Sequence, residues 1–192
     1  MVQLGWFEDV SPELIARQFD TNLFGAMRVT RAILPIMRHQ SSGHIFAISS
    51  IGSMVSSAGG SIYSASKFAS EGWMEGLSKE LKPLGITATI VQPGFFRTDF
   101  LDRSSLRYGD RDVEDYREQF DKFKSFLDSM NHTQIGDPAK LATALIQISE
   151  MTHPPLRFCA GSDAHERVIE KARAILSEAG RLRDLSRSTD GP

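Results

Sequence analysis

The chain has 192 residues, with 22 basic and 24 acidic side chains, a net charge of −2, and 41% hydrophobic against 24% charged residues. That make-up suits one domain able to bury a core, and it excludes a disordered chain and a basic nucleic-acid binder. The single cysteine, Cys159, cannot form an intrachain disulfide. No apolar run reaches the roughly 18 residues of a membrane span, and the first ten residues lack a basic signal-peptide region, so the expected setting is cytoplasmic, without membrane or nucleic-acid partners.

Ser11-Pro12-Glu13 opens a helix, with a capping serine, a proline suited to the first helical position and an acid at the positive end of the dipole. Ile15, Phe19, Asn22, Ala26, Val29, Ile33 and Ile36 then recur at steps of three and four, which predicts one long helix over about 12–38 with a single apolar face. His44–Ile48 is a short apolar run and reads as a strand buried on both faces. A small-residue loop over 51–60 leads to a second helix over about 61–82, stopped by Pro83 and Gly85. Ala65, Ala69, Gly72 and Gly76 give it a small-residue face that either admits a second subunit or lies on the sheet.

Ile86–Val91 is the next strand, ended by Pro93-Gly94. Val113, Tyr116, Phe120, Phe123, Leu127 and Met130 form an apolar stripe within an insertion over 101–135. Asp137-Pro138 starts a further helix. Leu156–Ala160 reads as a third strand, and Ser162 as the cap of a charged C-terminal helix. This alternation predicts a parallel α/β sheet in one domain over 1–192, with no internal linker or repeat.

In such a sheet, sites form at the carboxyl ends of the strands. Ser50 and Pro93-Gly94 stand at two of those ends. Tyr63 and Lys67 are four apart and share a helix face. A tyrosine titrates near a pKa of about 10, and a neighbouring ammonium lowers that value, so the pair forms a candidate general acid–base. Singly, each residue has a plainer reading: a solvated helix face for Tyr63 and Lys67, a turn serine for Ser50, a core amide for Asn22. No Gly-x-Ser-x-Gly elbow or His-Glu-x-x-His motif is present, and His39, His44, His132, His153 and His165 read as surface or loop residues, so no metal is expected.

Taken together, Ser50 thirteen residues before Tyr63, Tyr63-Ser-Ala-Ser-Lys67, Asp20-Thr-Asn22-Leu-Phe-Gly25 and Pro93-Gly-Phe-Phe-Arg-Thr98 resemble the short-chain dehydrogenase/reductase family, from about Phe7 to the C-terminal helix. The resemblance implies a Rossmann-like fold and an NAD(P)-dependent oxidoreductase that interconverts an alcohol and a carbonyl. It implies that Tyr63 exchanges a proton with the substrate oxygen and that Ser50 orients that oxygen. Lys67 would tune Tyr63 and hold the nicotinamide ribose, and Asn22 would fix a water feeding Lys67. Pro93, Gly94, Phe96 and Thr98 would line the nicotinamide side of NAD or NADP. The insertion would be a mobile lid which, with Phe95 and Phe96, favours a hydrophobic alcohol or ketone. The helices at 12–38 and 61–82 would pair subunits into a homodimer or homotetramer.

The chain departs from the family in one respect. It has 15 glycines and no Gly-x-Gly, so the glycine-rich pyrophosphate turn is absent from the sequence. The expectation is a truncated sheet of about three of the family's seven strands, with the strand at 44–48 an unguarded edge, and a chain inactive on its own. The alternative is a non-catalytic interaction protein derived from a truncated reductase.

Overall fold

The computed structural model describes residues 2–191. Its main sheet has three parallel strands in the order β2-β3-β5: β2 (Gly43–Ile48), β3 (Ile86–Pro93) and β5 (Arg157–Ala160). Gly43 pairs with Ile86 and Ile48 with Val91, while Ile90 pairs with Arg157 and Pro93 with Ala160. The crossovers are helical, as parallel strands require: α3 (Ser61–Leu81) joins β2 to β3, and α5 (Pro138–Ser149) precedes β5. Asp137 caps α5 by accepting from the amides of Ala139 and Lys140. Gly85 ends the turn after α3 at φ +71°, where a Cβ would strike the Ser41 carbonyl, so only glycine fits.

Two further strands, absent from the sequence reading, form a separate parallel pair. These are β1 (Val2–Leu4) and β4 (Leu106–Tyr108). Each is three residues long, too short for a periodic signal. The amide of Gln3 donates to Gln18 Oε1 at 2.6 Å and so fastens β1 to α1 (Pro12–Phe19).

The helix expected over 12–38 is broken in phase. After α1, Asp20–Phe24 forms a π-helical turn whose ladder closes from the Gly25 amide to the Asp20 carbonyl, and α2 (Gly25–Gln40) follows. A π turn holds one residue more than an α turn. The buried face therefore slips by one position. Thr30 is buried and Leu34 and Met37 pack on the core, whereas Val29, Ile33 and Ile36 of the expected stripe are exposed.

Other expectations are corrected in detail. Strand β2 is half-buried rather than covered on both faces, and it is an edge strand paired only with β3. Its free edge borders an open groove of about 410 Å³ walled by Ile45, Phe46 and Ile48 on one side and by Val29, Ile33 and Met37 on the other. His44, expected to be a surface residue, is half-buried on β2, with its Nε2 2.9 Å from Thr89 Oγ1. The last main helix, α6 (Ser162–Arg181), is capped in position by Gly161, and Ser162 makes no cap.

Two hydrophobic clusters hold the molecule together. Met74, Leu77, Leu81, Ile86, Ala88 and Ile90 fill the space between α3 and the main sheet. Val2, Leu4, Leu101, Leu106 and Leu127 form the second, under α4 (Arg117–Met130), with Tyr63 and Phe123 packed against it. Helix α3 lies against both clusters, which fixes where Tyr63 and Lys67 stand. A short helix, α7 (Arg183–Arg187), follows α6. Among the described residues no helix is long and apolar enough to cross a membrane.

Candidate active site

Strand β2 ends at Ile48. Ser50 follows with its own backbone extended and its Oγ accepting the Gly52 amide at 3.0 Å. The Ser50 hydroxyl stands close enough to the Tyr63 phenol to hold it down against burial. Gly52 stands beside both: a Cβ there would lie 3.2 Å from the Tyr63 ring and 3.3 Å from Ser50 Oγ. Tyr63 is in the first turn of α3, and its ring meets Phe100 edge-on at 5.8 Å. Lys67, one turn on, has its Nζ 5.8 Å from the Tyr63 ring centroid and donates to the Ile48 carbonyl at 2.9 Å. That bond ties α3 to the carboxyl end of β2.

The electrostatics differ from the sequence expectation. Lys67 was expected to lower the Tyr63 phenol. Instead burial pushes Tyr63 up to about 12, and the neighbouring Ser50 hydroxyl is what acts downward. Burial also pulls the Lys67 ammonium down to about 8. Both groups are thus held toward their neutral forms.

Asn22 lies in the π-helical turn, half-buried, and its Nδ2 donates to Ser66 Oγ at 3.1 Å. Its carbonyl accepts from Ser70 Oγ at 3.4 Å. The turn is therefore fastened to α3 on either side of Lys67, although no hydrogen bond joins Asn22 to Lys67.

Pro93 and Gly94 leave the end of β3, with the Gly94 amide bonded to the Ala160 carbonyl at 2.9 Å. The Asp163 carboxylate fills the space where a Gly94 Cβ would project, and its Oδ2 accepts the Phe95 amide at 2.8 Å. Phe96 bridges to Gly136 through the backbone. Thr98 is exposed and caps the next short turn, its Oγ1 accepting the Phe100 amide at 3.3 Å. The structure thus gathers Ser50, Tyr63 and Lys67 into one cluster, holds Asn22 on the adjoining turn, and sets Pro93, Gly94, Phe96 and Thr98 in the loop after the neighbouring strand.

Sequence reasoning missed Asp163, whose signal was its place in the first turn of a helix just after Gly161. It also missed Glu71, which continues the four-residue spacing from Tyr63 through Lys67. Among the described residues, no group of three or more His, Cys, Asp or Glu is arranged to hold a metal ion.

The insertion packs down on the domain. Leu127 is buried and Phe123 touches the second cluster, so close to the loop after β2 that a Cβ on Gly59 would lie 2.9 Å from the Phe123 ring. Trp6, Tyr108, Phe120 and Phe123 form a connected aromatic group, with centroid separations from 5.3 to 6.2 Å.

A strand-end serine beside a tyrosine, with a lysine one turn along the crossover helix, stands on a parallel α/β sheet of Rossmann-like form. Residues 1–108 match the family model described as short chain dehydrogenase. The chain belongs to the short-chain dehydrogenase family. It is 32% identical over 179 residues to Oxidoreductase BOA17 of Botryotinia fuckeliana, covering 93% of this chain and 65% of that protein. It is 35% identical over 157 residues to a 3-ketodihydrosphingosine reductase of Bacteroides thetaiotaomicron, covering 82% of this chain and 58% of that protein. The crystal structure of a short-chain dehydrogenase from Streptomyces avermitilis superimposes with a TM-score of 0.87 at 35% identity, over 98% of this chain and 68% of the other. The chain spans under two thirds of the length of these curated relatives.

Proposed function

We propose that the chain supplies the acid–base half of an NAD(P)-dependent oxidoreductase that interconverts an alcohol and a carbonyl. The observation that carries this reading is the convergence of the Ser50 hydroxyl and the Tyr63 ring on Gly52 at the carboxyl end of β2, with Lys67 one turn further along α3. Tyr63 delivers or removes the proton at the substrate oxygen. Ser50 donates to that oxygen and fixes its distance from Tyr63. Lys67 presents its ammonium to the ribose hydroxyls, and a bound ribose together with that charge brings Tyr63 down from its present value.

The residues present fit the nicotinamide end of a dinucleotide. The loop from Pro93 to Thr98 lies at the end of the neighbouring strand, and Gly94 is braced from behind by Asp163. The nicotinamide supplies or accepts the hydride when bound. Asn22 holds the water that exchanges protons with Lys67. The test is Tyr63→Phe in a preparation that turns over: activity falls by about 10²–10⁴-fold while the thermal midpoint holds. A variant keeping more than half its activity refutes the assignment.

The insertion over 101–135 is the lid, and the substrate is a hydrophobic alcohol or ketone. Support comes from the aromatic group of Trp6, Tyr108, Phe120 and Phe123, and from Phe100 against Tyr63 itself. The name of the Bacteroides relative points to a lipid-like substrate in that protein. A panel preferring small polyols over long-chain ketones speaks against it.

The assembly is a homodimer or homotetramer through the helices at 12–38 and 61–82. Ala65, Gly72 and Gly76 are exposed, and the two glycines have open space before them, so the small-residue face of α3 points outward rather than onto the sheet. Val29 and Ile36 of α2 are exposed as well. These faces and the free edge of β2 also suit the second reading, an interaction protein without turnover. Retention of full partner binding by Tyr63→Phe in a protein with no measurable turnover favours that reading.

A further inference from the structure

We infer that Glu71 is a positioning residue for Ser50: its carboxylate fixes the turn after β2 so that the Ser50 hydroxyl lies against Tyr63. The inference rests on the acid–base reading of Tyr63 and assigns a task to a residue that reading leaves unused.

Glu71 is only 5% exposed, two turns beyond Tyr63 on α3. A carboxylate so placed is costly unless donors surround it. Four groups do. Its Oε1 accepts from Ser49 Oγ at 3.1 Å, from Gln92 Nε2 at 2.7 Å and from Ser53 Oγ. Its Oε2 accepts from Arg157 Nε at 3.3 Å, and Arg157 in turn holds Glu75 at 2.6 Å. These donors come from the end of β2, the turn after it, β3 and β5. One side chain therefore ties all three strands of the main sheet to the helix bearing Tyr63.

The placement of the two serines gives the network its direction. Ser49 and Ser53 bracket Ser50. Ser53 also faces Ser50 directly, with its Oγ 2.5 Å and its amide 3.0 Å from the Ser50 carbonyl. Glu71 makes no bond to the side chains of Ser50, Tyr63 or Lys67, so any effect on them passes through the flanking serines. A well-packed leucine would fill the same volume, but it would leave the Ser49 hydroxyl and the Gln92 amide without their acceptor, with Ser53 held only by the Ser50 carbonyl and Arg157 only by Glu75.

The primary test needs no cofactor. The protein is labelled with [13Cζ]tyrosine, and the Tyr63 resonance is assigned by its loss in Tyr63→Phe. Ser50→Ala displaces that resonance by removing the hydroxyl beside the phenol. Glu71→Ala is expected to displace it in the same direction by about half as much or more. In a Ser50→Ala background Glu71→Ala adds almost nothing, because both changes act through the Ser50 hydroxyl. Glu71→Gln keeps one acceptor oxygen and gives an intermediate displacement, which also covers the case in which Glu71→Ala does not fold.

In a preparation that turns over, Glu71→Ala lowers kcat by about tenfold with cofactor affinity within about twofold, and costs under about threefold when Ser50 is already alanine. A Tyr63 resonance unmoved by Glu71→Gln and Glu71→Ala, or equal kcat losses in both backgrounds, overturns the inference and leaves the acid–base reading intact. Turnover unaffected by Tyr63→Phe refutes that reading instead, while the resonance still decides whether Glu71 positions Ser50.

Discussion

Replacing Lys67 by methionine should stabilise the protein at neutral pH, and the gain should vanish as the pH rises. Burial lowers the ammonium from 10.5 to about 8, so the folded state disfavours the charge that the unfolded chain carries freely. At 1.36 kcal/mol per factor of ten, that drop corresponds to about 3 kcal/mol of lost stability wherever both states are protonated, that is, below about pH 8. Between about 8 and 10.5 the folded state has shed its proton and the unfolded state has not, so stability rises with pH through this window. At pH 10 under about 1 kcal/mol of the penalty remains. Methionine also forfeits the bond to the Ile48 carbonyl, worth about 1 kcal/mol, which leaves a net gain near pH 7 of about 2 kcal/mol. Urea unfolding of both proteins at pH 7, 8.5 and 10 measures the difference. Cys159, whose thiol burial pushes up, is common to both proteins, so its contribution cancels between the two. A difference that stays constant across the three pH values refutes the claim that Lys67 bears a desolvated charge.

The chain carries no Gly-x-Gly turn to take a pyrophosphate, so the 192-residue chain titrated with NADH or NADPH should show no saturable fluorescence change below about millimolar, a level equivalent to only about 4 kcal/mol; micromolar binding refutes this. Gly85→Ala should lower the unfolding free energy by about 2–3 kcal/mol in urea, since φ +71° disfavours a Cβ that would also strike Ser41. Gly72→Arg should reduce the mass seen by light scattering if subunits meet through α3, whereas Phe46→Lys should do so if they meet along the free edge of β2. Unchanged mass in both variants counts against each surface.

The three strands of the main sheet and the helices between them were legible because each is long enough to show its period or is bounded by Pro, Gly or a capping residue. The Ser50, Tyr63 and Lys67 cluster was legible because strand ends and a four-residue helical step are local features. What escaped depends on contacts distant in sequence. Strands β1 and β4 are three residues each and exist through their mutual pairing over a hundred positions apart. The slip at Asp20–Phe24 left the apolar spacing looking continuous, and the stripe was assigned one residue out of place beyond it. The protonation of Tyr63 was misjudged because spacing shows that Lys67 is near but not how deeply both are buried. Glu71 was passed over because its donors come from three separate stretches of chain.

The π-helical turn gives the gene an unusual tolerance. Five residues, Asp20 to Phe24, span what a continuous α-helix would cover with four. An in-frame deletion of one of codons 20 to 24 removes the residue that the turn absorbs, so the helix closes its regular ladder and Thr30, Leu34 and Met37 still face the sheet. The same deletion within the regular helix over 25–37 turns everything beyond it by about 100°, the angle contributed by one residue at 3.6 per turn. Losing a codon should therefore be borne at the π turn, away from Asn22 and its bond to Ser66, and be damaging a turn later.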